Sequence, residues 1–274
     1  MEINKLVKAY ERGEIMKVVQ RTDRGKVRNH NEDHVGIFTN HSGHLLAVVA
    51  DGMGGHLAGD VASKMTIELI QDLWDNNAPN TEVPDQTEMW FQQAIQEINE
   101  KIYTYANENP ECKGMGTTLV AALCTNKFVS IAHIGDSRCY ILNEHGFRQL
   151  TDDHSLVNEL VKSGQISKED AEHHPRKNVL LRALGTEPSV TIDTITVDFD
   201  IGDYLILCTD GLSNKVSDKE IAEILSLDEK LEDKADQLIQ LANDNGGEDN
   251  ITLAIIHNSE CEKAGDNSCS LASE

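Results

Sequence analysis

Short apolar runs along the chain predict β-strands in two groups, with helices between and after them. The predicted strands cover residues 16–21, 34–39, 45–50, 117–124, 127–134, 138–142, 204–209 and 251–257. Apolar residues also alternate over residues 186–200, but the alternation changes phase halfway along. That change predicts one more strand, with a β-bulge near Asp193 and Thr194.

Two pairs of amphipathic helices are predicted among the strands. Apolar residues return at helical spacing over residues 61–73 and 91–105, and again over residues 218–225 and 230–243. This order favours two antiparallel-rich sheets packed face to face with helices outside, rather than a parallel βαβ array. The sequence therefore predicts an α+β fold.

The same pattern divides the chain into three parts. Residues 16–257 predict one globular domain, and residues 1–15 form an extension with weak helical periodicity. Residues 258–274 show no periodicity and predict a disordered tail. Inside the domain, residues 154–184 are polar and only helix-like at their start, so they predict an insertion lying over the surface.

Composition and charge limit the partners and the compartment. Acidic residues outnumber basic ones by 47 to 24 among 274 residues, and the net charge of −23 repels nucleic acid and anionic membranes. The longest apolar runs, such as residues 45–50, are far shorter than the roughly 20 residues that span a bilayer. The start lacks the apolar core of a secretory signal, and the six cysteines contain no C-x-x-C pair. We expect a cytoplasmic protein that binds neither nucleic acid nor membrane.

Acidic residues stand where predicted strands end. Two strands run into Asp-Gly pairs, at Asp51 and Asp210, although either pair alone would predict only a turn. Asp136 occupies a predicted hairpin tip, and Asp249 lies just before the last strand. Four carboxylates on one rim of stacked sheets would repel each other unless cations lay among them. Hard oxygen ligands without Cys or His favour magnesium or manganese.

The segment R-N-H-N-E-D near the start of the chain adds a different chemistry. Arg28 is a natural bidentate partner for phosphate, and Glu32 and Asp33 offer further oxygen ligands beside it. The other basic residues of the first thirty are interpreted as a solvated face. Metal-binding acids together with one arginine predict phosphoryl chemistry, in which two metal ions clamp a phosphate and activate a water.

The ordered motifs R-x-x-x-E-D, V-V-A-D-G-M-G-G-H, G-M-G-T-T, G-D-S-R, T-D-G and E-D-N-I-T identify a resemblance. Over about residues 16–257 the chain resembles the metal-dependent protein phosphatases of type 2C, in their bacterial stand-alone form. The resemblance implies a four-layer α-β-β-α sandwich. It also implies that phosphoserine and phosphothreonine in phosphorylated proteins are hydrolysed by a metal-activated water at a binuclear manganese or magnesium centre. An opposing serine/threonine protein kinase is the usual partner.

The resemblance assigns metal-binding roles by position. Asp51 would bridge the two ions, and Gly52 would offer its backbone carbonyl. Asp210 and Asp249 would complete the shell of the first ion, and Glu32 would bind the second.

Further roles follow from the same resemblance. Asp136, with Asp210, would hold a weaker third ion, and Arg28 would bind the substrate phosphate. Asp33 is counted with the metal-binding acids, and Asp51 and Arg28 are the candidate catalytic residues. Residues 154–184 match the variable flap of the family.

One position departs from the animal members of the family. They carry a proton-donating His directly after Asp-Gly, whereas this chain has Met53 there. His56, three residues later, is interpreted as a residue of the helix start or of the surroundings of the site. The general acid is therefore left unassigned.

Two other functions compete with this interpretation. A dinucleotide-binding oxidoreductase would need G-x-G-x-x-G in the segment DGMGGHLAG, but Leu57 stands where the last glycine belongs. A non-catalytic metal-binding or scaffold module with the same fold is disfavoured because all the matching acids are present. Binding of NAD and hydrolysis of an aryl phosphate with manganese would distinguish these readings.

Overall fold

Two antiparallel sheets form the middle of the molecule. The computed structural model describes residues 4–7, 14–40, 43–55, 58–81 and 83–260. Its strands are Asn4–Val7 (β1), Glu14–Asp23 (β2), Asp33–Thr39 (β3), Leu45–Met53 (β4), Gly116–Thr117 (β5), Leu119–Cys124 (β6), Phe128–Ile134 (β7), Arg138–Asn143 (β8), Gly146–Gln149 (β9), Asp193–Asp198 (β10), Tyr204–Cys208 (β11) and Ile251–Glu260 (β12). One sheet has the order β1-β2-β12-β11-β8-β9, and the other has the order β10-β7-β6-β4-β3 with β5 paired to β4.

Seven α-helices lie in the described part of the chain, and two pairs of them cover the outer faces of the two sheets. They are Ala58–Asn77 (α1), Pro84–Glu108 (α2), Leu156–Lys162 (α3), Lys168–Glu172 (α4), Asp210–Ser213 (α5), Asp218–Leu225 (α6) and Leu231–Asp244 (α7), with a 3₁₀ turn at Pro110–Cys112. Among the described residues, neither α2 nor any shorter helix has an apolar stretch that could cross a membrane.

Three apolar layers hold these four layers of structure together. Alternate residues of β4 enter two of these layers. Leu45, Ala47 and Val49 face the layer between the sheets. Leu46 and Val48 on the opposite face pack against α1 and α2. A strand buried on both faces is apolar at every position, and each buried Leu or Val contributes roughly 1.5–3 kcal/mol. The third layer joins the other sheet to α6 and α7, so the expected α-β-β-α sandwich is confirmed.

The predicted strand with a bulge over residues 186–200 is wrong in its first half. Only β10 is a strand, and it pairs residue for residue with β7, Asp193 opposite His133 and Thr194 opposite Ala132. The preceding residues are irregular, and Gln92 of α2 donates to the carbonyl of Ile192 over 3.1 Å. Ile192 packs into the core beneath α2. The change of phase marks the start of the strand and not a bulge.

The ends of the chain differ in part from the expected pattern. Asn4–Val7 form a strand on the edge of β2, although residues 1–15 show helical periodicity. β12 continues to Glu260, so residues 258–260 belong to the sheet and the tail was predicted to begin too early. Residues 261–274 lie outside the described residues. The domain limits 16–257 and the flap limits 154–184 stay predictions.

Candidate active site

Acidic side chains from both sheets meet at one end of the sandwich. Asp33 begins β3 and lies directly opposite Asp51, near the end of β4. Thr209, which follows β11, donates its hydroxyl to Asp33 Oδ2 over 2.9 Å and joins the second sheet to this pair. Asp210 comes next as the first residue of α5, and its carboxyl group lies close enough to that of Asp51 to act on it electrostatically.

The remaining predicted acids lie on loops around this pair. Asp136 occupies the turn between β7 and β8, and Asp249 lies two residues before β12. Both carboxylates act electrostatically on Asp51. Glu32 directly precedes β3, and its carbonyl accepts the Gly52 N–H over 3.1 Å. The charges of Arg28 and Asp249 act on its carboxyl group. The structure therefore gathers all the acids that the sequence singled out.

Burial and mutual repulsion change the pKa values of these carboxyl groups. Desolvation, reinforced by the charge of Asp210, raises the pKa of Asp33 and of Asp136 to about 7. Desolvation and the charges of Asp33 and Asp210 raise the pKa of Asp51 well above its ordinary range. Desolvation and the charge of Asp249 raise the pKa of Asp210 to about 6. Without a cation among them, these groups cannot all be ionised at neutral pH at low energetic cost.

The donor set fits divalent metal ions. Asp33 Oδ1 is buried and has no hydrogen-bond partner within the described part of the chain. A Cβ atom at Gly52 would lie 2.1 Å from the carbonyl oxygen of Gly59 and 2.6 Å from that of Glu32, so only glycine fits at this close approach. Carboxylate and carbonyl oxygens are the ligands of magnesium and manganese, and a cation would relieve the repulsion among the acids.

Arg28 lies at the edge of the acid cluster. It belongs to the loop between β2 and β3, and its Nη2 donates to Asp249 Oδ2 over 2.7 Å. Its side chain is 53% exposed, so the guanidinium is accessible from solvent. It could bind an anion without leaving the site.

Two threonines that the motif G-M-G-T-T contains, but that were given no role, hold the backbone of Asp51. Thr118 Oγ1 accepts the Asp51 N–H over 3.0 Å, and the Thr118 N–H donates to the Asp51 carbonyl over 2.9 Å. The Thr117 hydroxyl donates to the same carbonyl over 2.8 Å. Thr118 also shares a hydrogen bond with Ser137, the neighbour of Asp136. These hydroxyls connect two of the acids.

Asn250, in the motif E-D-N-I-T, organises the loop that carries Arg28. Its Oδ1 accepts the Glu32 N–H over 2.8 Å, and its Nδ2 donates to the carbonyls of Arg24 and His30, each over 2.9 Å. The side chain is buried. Its place beside Asp249 was the available signal, but the contacts span more than 200 residues of sequence and leave no local pattern.

The position after Gly52 offers no proton. Met53 is half-buried at the end of β4 and pairs with Gly116 of β5. A thioether carries no acidic hydrogen. His56 lies outside the described residues.

The comparisons with known proteins agree with this site. Residues 23–253 match the family model described as "Protein phosphatase 2C". Over 246 residues the chain is 50% identical to a serine/threonine phosphatase stp of Listeria monocytogenes, covering 90% of this chain and 97% of that one. It is 40% identical over 246 residues to protein phosphatase PhpP of Streptococcus pneumoniae, covering 89% and 98%.

Solved structures have the same fold. Serine/threonine phosphatase Stp1 from Staphylococcus aureus matches with a TM-score of 0.85 and 42% identity, over 91% of this chain and 98% of that one. The catalytic domain of the serine/threonine protein phosphatase PstP in complex with two manganese ions matches with a TM-score of 0.78 and 34% identity, over 90% and 100%. The chain belongs to the protein phosphatase 2C family and is a metal-dependent protein serine/threonine phosphatase.

Proposed function

We propose that Asp51, Gly52, Asp210 and Asp249, together with Glu32, hold two manganese or magnesium ions. The observation that carries this proposal is the set of buried and partly buried carboxyl groups with raised pKa values where the two sheets meet. The PstP structure with two manganese ions supports the number and favours manganese. Asp33 completes the acidic surroundings through its unpartnered Oδ1, and a weaker third ion binds at Asp136 and Asp210.

The residues of this chain then have separate roles in the hydrolysis of a phosphorylated serine or threonine. When bound, divalent cations lower the pKa of a water and neutralise charge on a phosphate. Arg28 binds the phosphate oxygens as a charged bidentate donor, and Asp249 keeps its guanidinium at the site. Thr117 and Thr118 keep the Asp51 backbone fixed. Met53 cannot protonate the leaving oxygen, so that proton comes from another group or from solvent.

The same proposal includes the substrates of the enzyme and its location in the cell. The substrates are phosphorylated proteins, and we expect an opposing serine/threonine protein kinase to supply them. A cytoplasmic location is supported by the cysteines of the described residues, Cys112, Cys124, Cys139 and Cys208, which are all buried free thiols.

Turnover of a phosphothreonine peptide at increasing manganese or magnesium concentration tests the proposed site. Asp210→Asn should lower kcat by roughly 100-fold or more, the scale of losing a preorganised charge contact in the transition state. The matched control is Asp228→Asn, which removes one charge from the exposed loop between α6 and α7 and should leave turnover unchanged. Equal activity of Asp210→Asn and wild type would contradict the assignment, as would full turnover in the presence of a chelator.

A further inference from the structure

His154, the first residue of the flap segment, holds the turn that carries Asp136. Its side chain is 5% exposed. The His154 N–H donates to the Gly135 carbonyl over 2.8 Å, and the Gly135 N–H donates to His154 Nδ1 over 3.2 Å. Gly135 adopts a positive φ of 108°, and a Cβ there would lie 2.6 Å from the side chain of Thr118. The residue before Asp136 is thus held on both of its polar backbone atoms by one histidine.

The other side of the same ring is tied to the end of the flap segment. Because Nδ1 accepts a backbone N–H, the ring proton sits on Nε2, which donates to Asp193 Oδ2 over 3.1 Å. Arg182 Nη1 lies 3.2 Å from the same nitrogen, and since both groups are donors they are in contact there without a hydrogen bond. Arg182 donates to Asp193 Oδ1 over 3.1 Å, and the Leu181 N–H donates to the His154 carbonyl over 2.8 Å. Burial lowers the pKa of His154, in keeping with a neutral ring. Both ends of the segment therefore meet at His154.

A metal ion is the alternative occupant of this cluster. One ligand atom from each of His133, His154 and Asp193 lies within 4.8 Å of the others. However, His154 Nε2 carries a proton, and His133 Nε2 donates to the Asp152 carbonyl over 2.9 Å while the two rings stack at 4.5 Å. Arg182 already supplies the positive charge beside Asp193. The proton of each histidine ring is already used in a hydrogen bond, so the geometry is that of a hydrogen-bond network and not of a ligand set.

We propose that His154 is a positioning residue with two separable tasks: through Nδ1 it fixes the Gly135–Asp136 turn, and through Nε2 it fixes the base of the flap. The first task rests on the proposed role of Asp136 as a ligand of the third ion. The second task rests on the contact of Nε2 with Asp193, which also binds Arg182, because the Leu181 N–H donates to the backbone carbonyl of His154 and that bond does not depend on the side chain.

Two substitutions separate these tasks because each keeps one half of the imidazole. His154→Asn keeps an acceptor near the Nδ1 position but does not reach Asp193. His154→Gln reaches toward Asp193 but has no acceptor at the Nδ1 position. Two readouts are needed: binding of the weakest manganese ion, measured as free Mn²⁺ by electron paramagnetic resonance, and the rate of tryptic cleavage at the exposed Arg176 and Lys177.

We expect His154→Gln to weaken the third manganese ion about tenfold, the lower end of what loss of a ligand-supporting contact costs, with flap cleavage near the wild-type rate. His154→Asn should bind manganese as wild type does but be cleaved several times faster in the flap. Asp193→Asn, a change at a half-exposed side chain, should reproduce the fast cleavage without altering manganese binding, and it remains informative if a His154 variant fails to fold.

Other outcomes would overturn the inference. Equal effects of the two His154 variants on both readouts would show that the ring acts only as buried packing. Zinc bound at a site that is lost in both variants would show a ligand set instead. The role of Asp136 is checked separately with Asp136→Asn: if it leaves manganese binding unchanged, the proposed third ion fails, while cleavage of Asp193→Asn still decides the flap task.

Discussion

The Arg28 guanidinium already bonds one carboxylate of the site and remains half exposed, so a substrate phosphate can reach it. The contact would exist both before and during the reaction, so it affects binding more than chemistry. We expect Arg28→Ala to raise KM for a phosphopeptide by about 10-fold or more, since a charged hydrogen bond contributes roughly 1.5–3 kcal/mol, with a smaller change in kcat. Steady-state kinetics measure both.

Two control variants make that result specific. Arg28→Lys keeps the charge but not the paired donors, so its KM should fall between those of Arg28→Ala and wild type. Lys26→Ala removes an exposed cation of the same loop that pairs with Asp244, and its KM should not change. A wild-type KM for Arg28→Ala would mean that Arg28 belongs only to the solvated face.

At the scale of single residues, the sequence predicts the charged groups of the site but not the residues that hold them in place by hydrogen bonds. Acids and an arginine stand out in a motif because of their chemistry, and the structure gathers all of them. Thr118 and Asn250 act through hydrogen bonds to residues 67 and more than 200 positions away. A single sequence does not reveal such pairs, because buried Thr and Asn also occur without any role at a site.

Among the elements, the flap helices are the least tied to the core. None of the seven residues of α3, all of them described, is fully buried. The helix is instead held by its Ser155 cap, and α4 by a capping box of Ser167 and Asp170. Elements with few buried contacts open most readily, which suits a segment that admits a protein substrate.

Shortening the flap should therefore separate large from small substrates. We expect replacement of residues 165–175 by a short Gly-Ser linker, which keeps His154 and Arg182, to lower kcat/KM for a phosphoprotein about tenfold. That equals about 1.4 kcal/mol of lost substrate contacts. Turnover of a small aryl phosphate should stay near wild type. Equal losses on both substrates would show that the segment supports the catalytic groups themselves.

The long elements were predictable because each has a clear period or a continuous apolar run. β4 and the helices α6 and α7 appear almost where the pattern puts them. The short strands β5 and β9 and the four-residue α5 contain too few residues to show a period. The false bulge arose because an irregular segment can also bury alternate residues when side chains such as Gln92 satisfy its backbone.

For the whole molecule, the acid cluster links stability to pH and to metal. The pKa values of Asp33 and Asp136 rise to about 7 and that of Asp210 to about 6, above an unfolded value near 4. Such groups bind protons more tightly when folded, so their stabilisation is complete below about pH 4 and is lost as pH rises through 6–7. Metal-free protein should lose about 5 °C or more in Tm between pH 5 and pH 8, at about 2–4 °C per kcal/mol.

Manganese should remove most of this loss of Tm between pH 5 and pH 8, because a bound cation offsets the repulsion among the carboxylates as bound protons do at low pH. Asp33→Asn should also reduce the loss of Tm, since it removes one of the titrating groups. Scanning calorimetry at both pH values measures the effect. A metal-free protein as stable at pH 8 as at pH 5 would show that the carboxylates lie further apart in solution than in the structure.

Counting the manganese ions that the protein binds tests the central claim most directly. Calorimetric titration of metal-free wild type should show two tightly bound ions, and phosphothreonine hydrolysis should appear as they bind. Asp51→Asn, which removes the proposed bridging carboxylate, should lose both the tight binding and the turnover while circular dichroism shows an intact fold. Two tightly bound ions in Asp51→Asn, or hydrolysis by wild type before any ion is bound, would contradict the account.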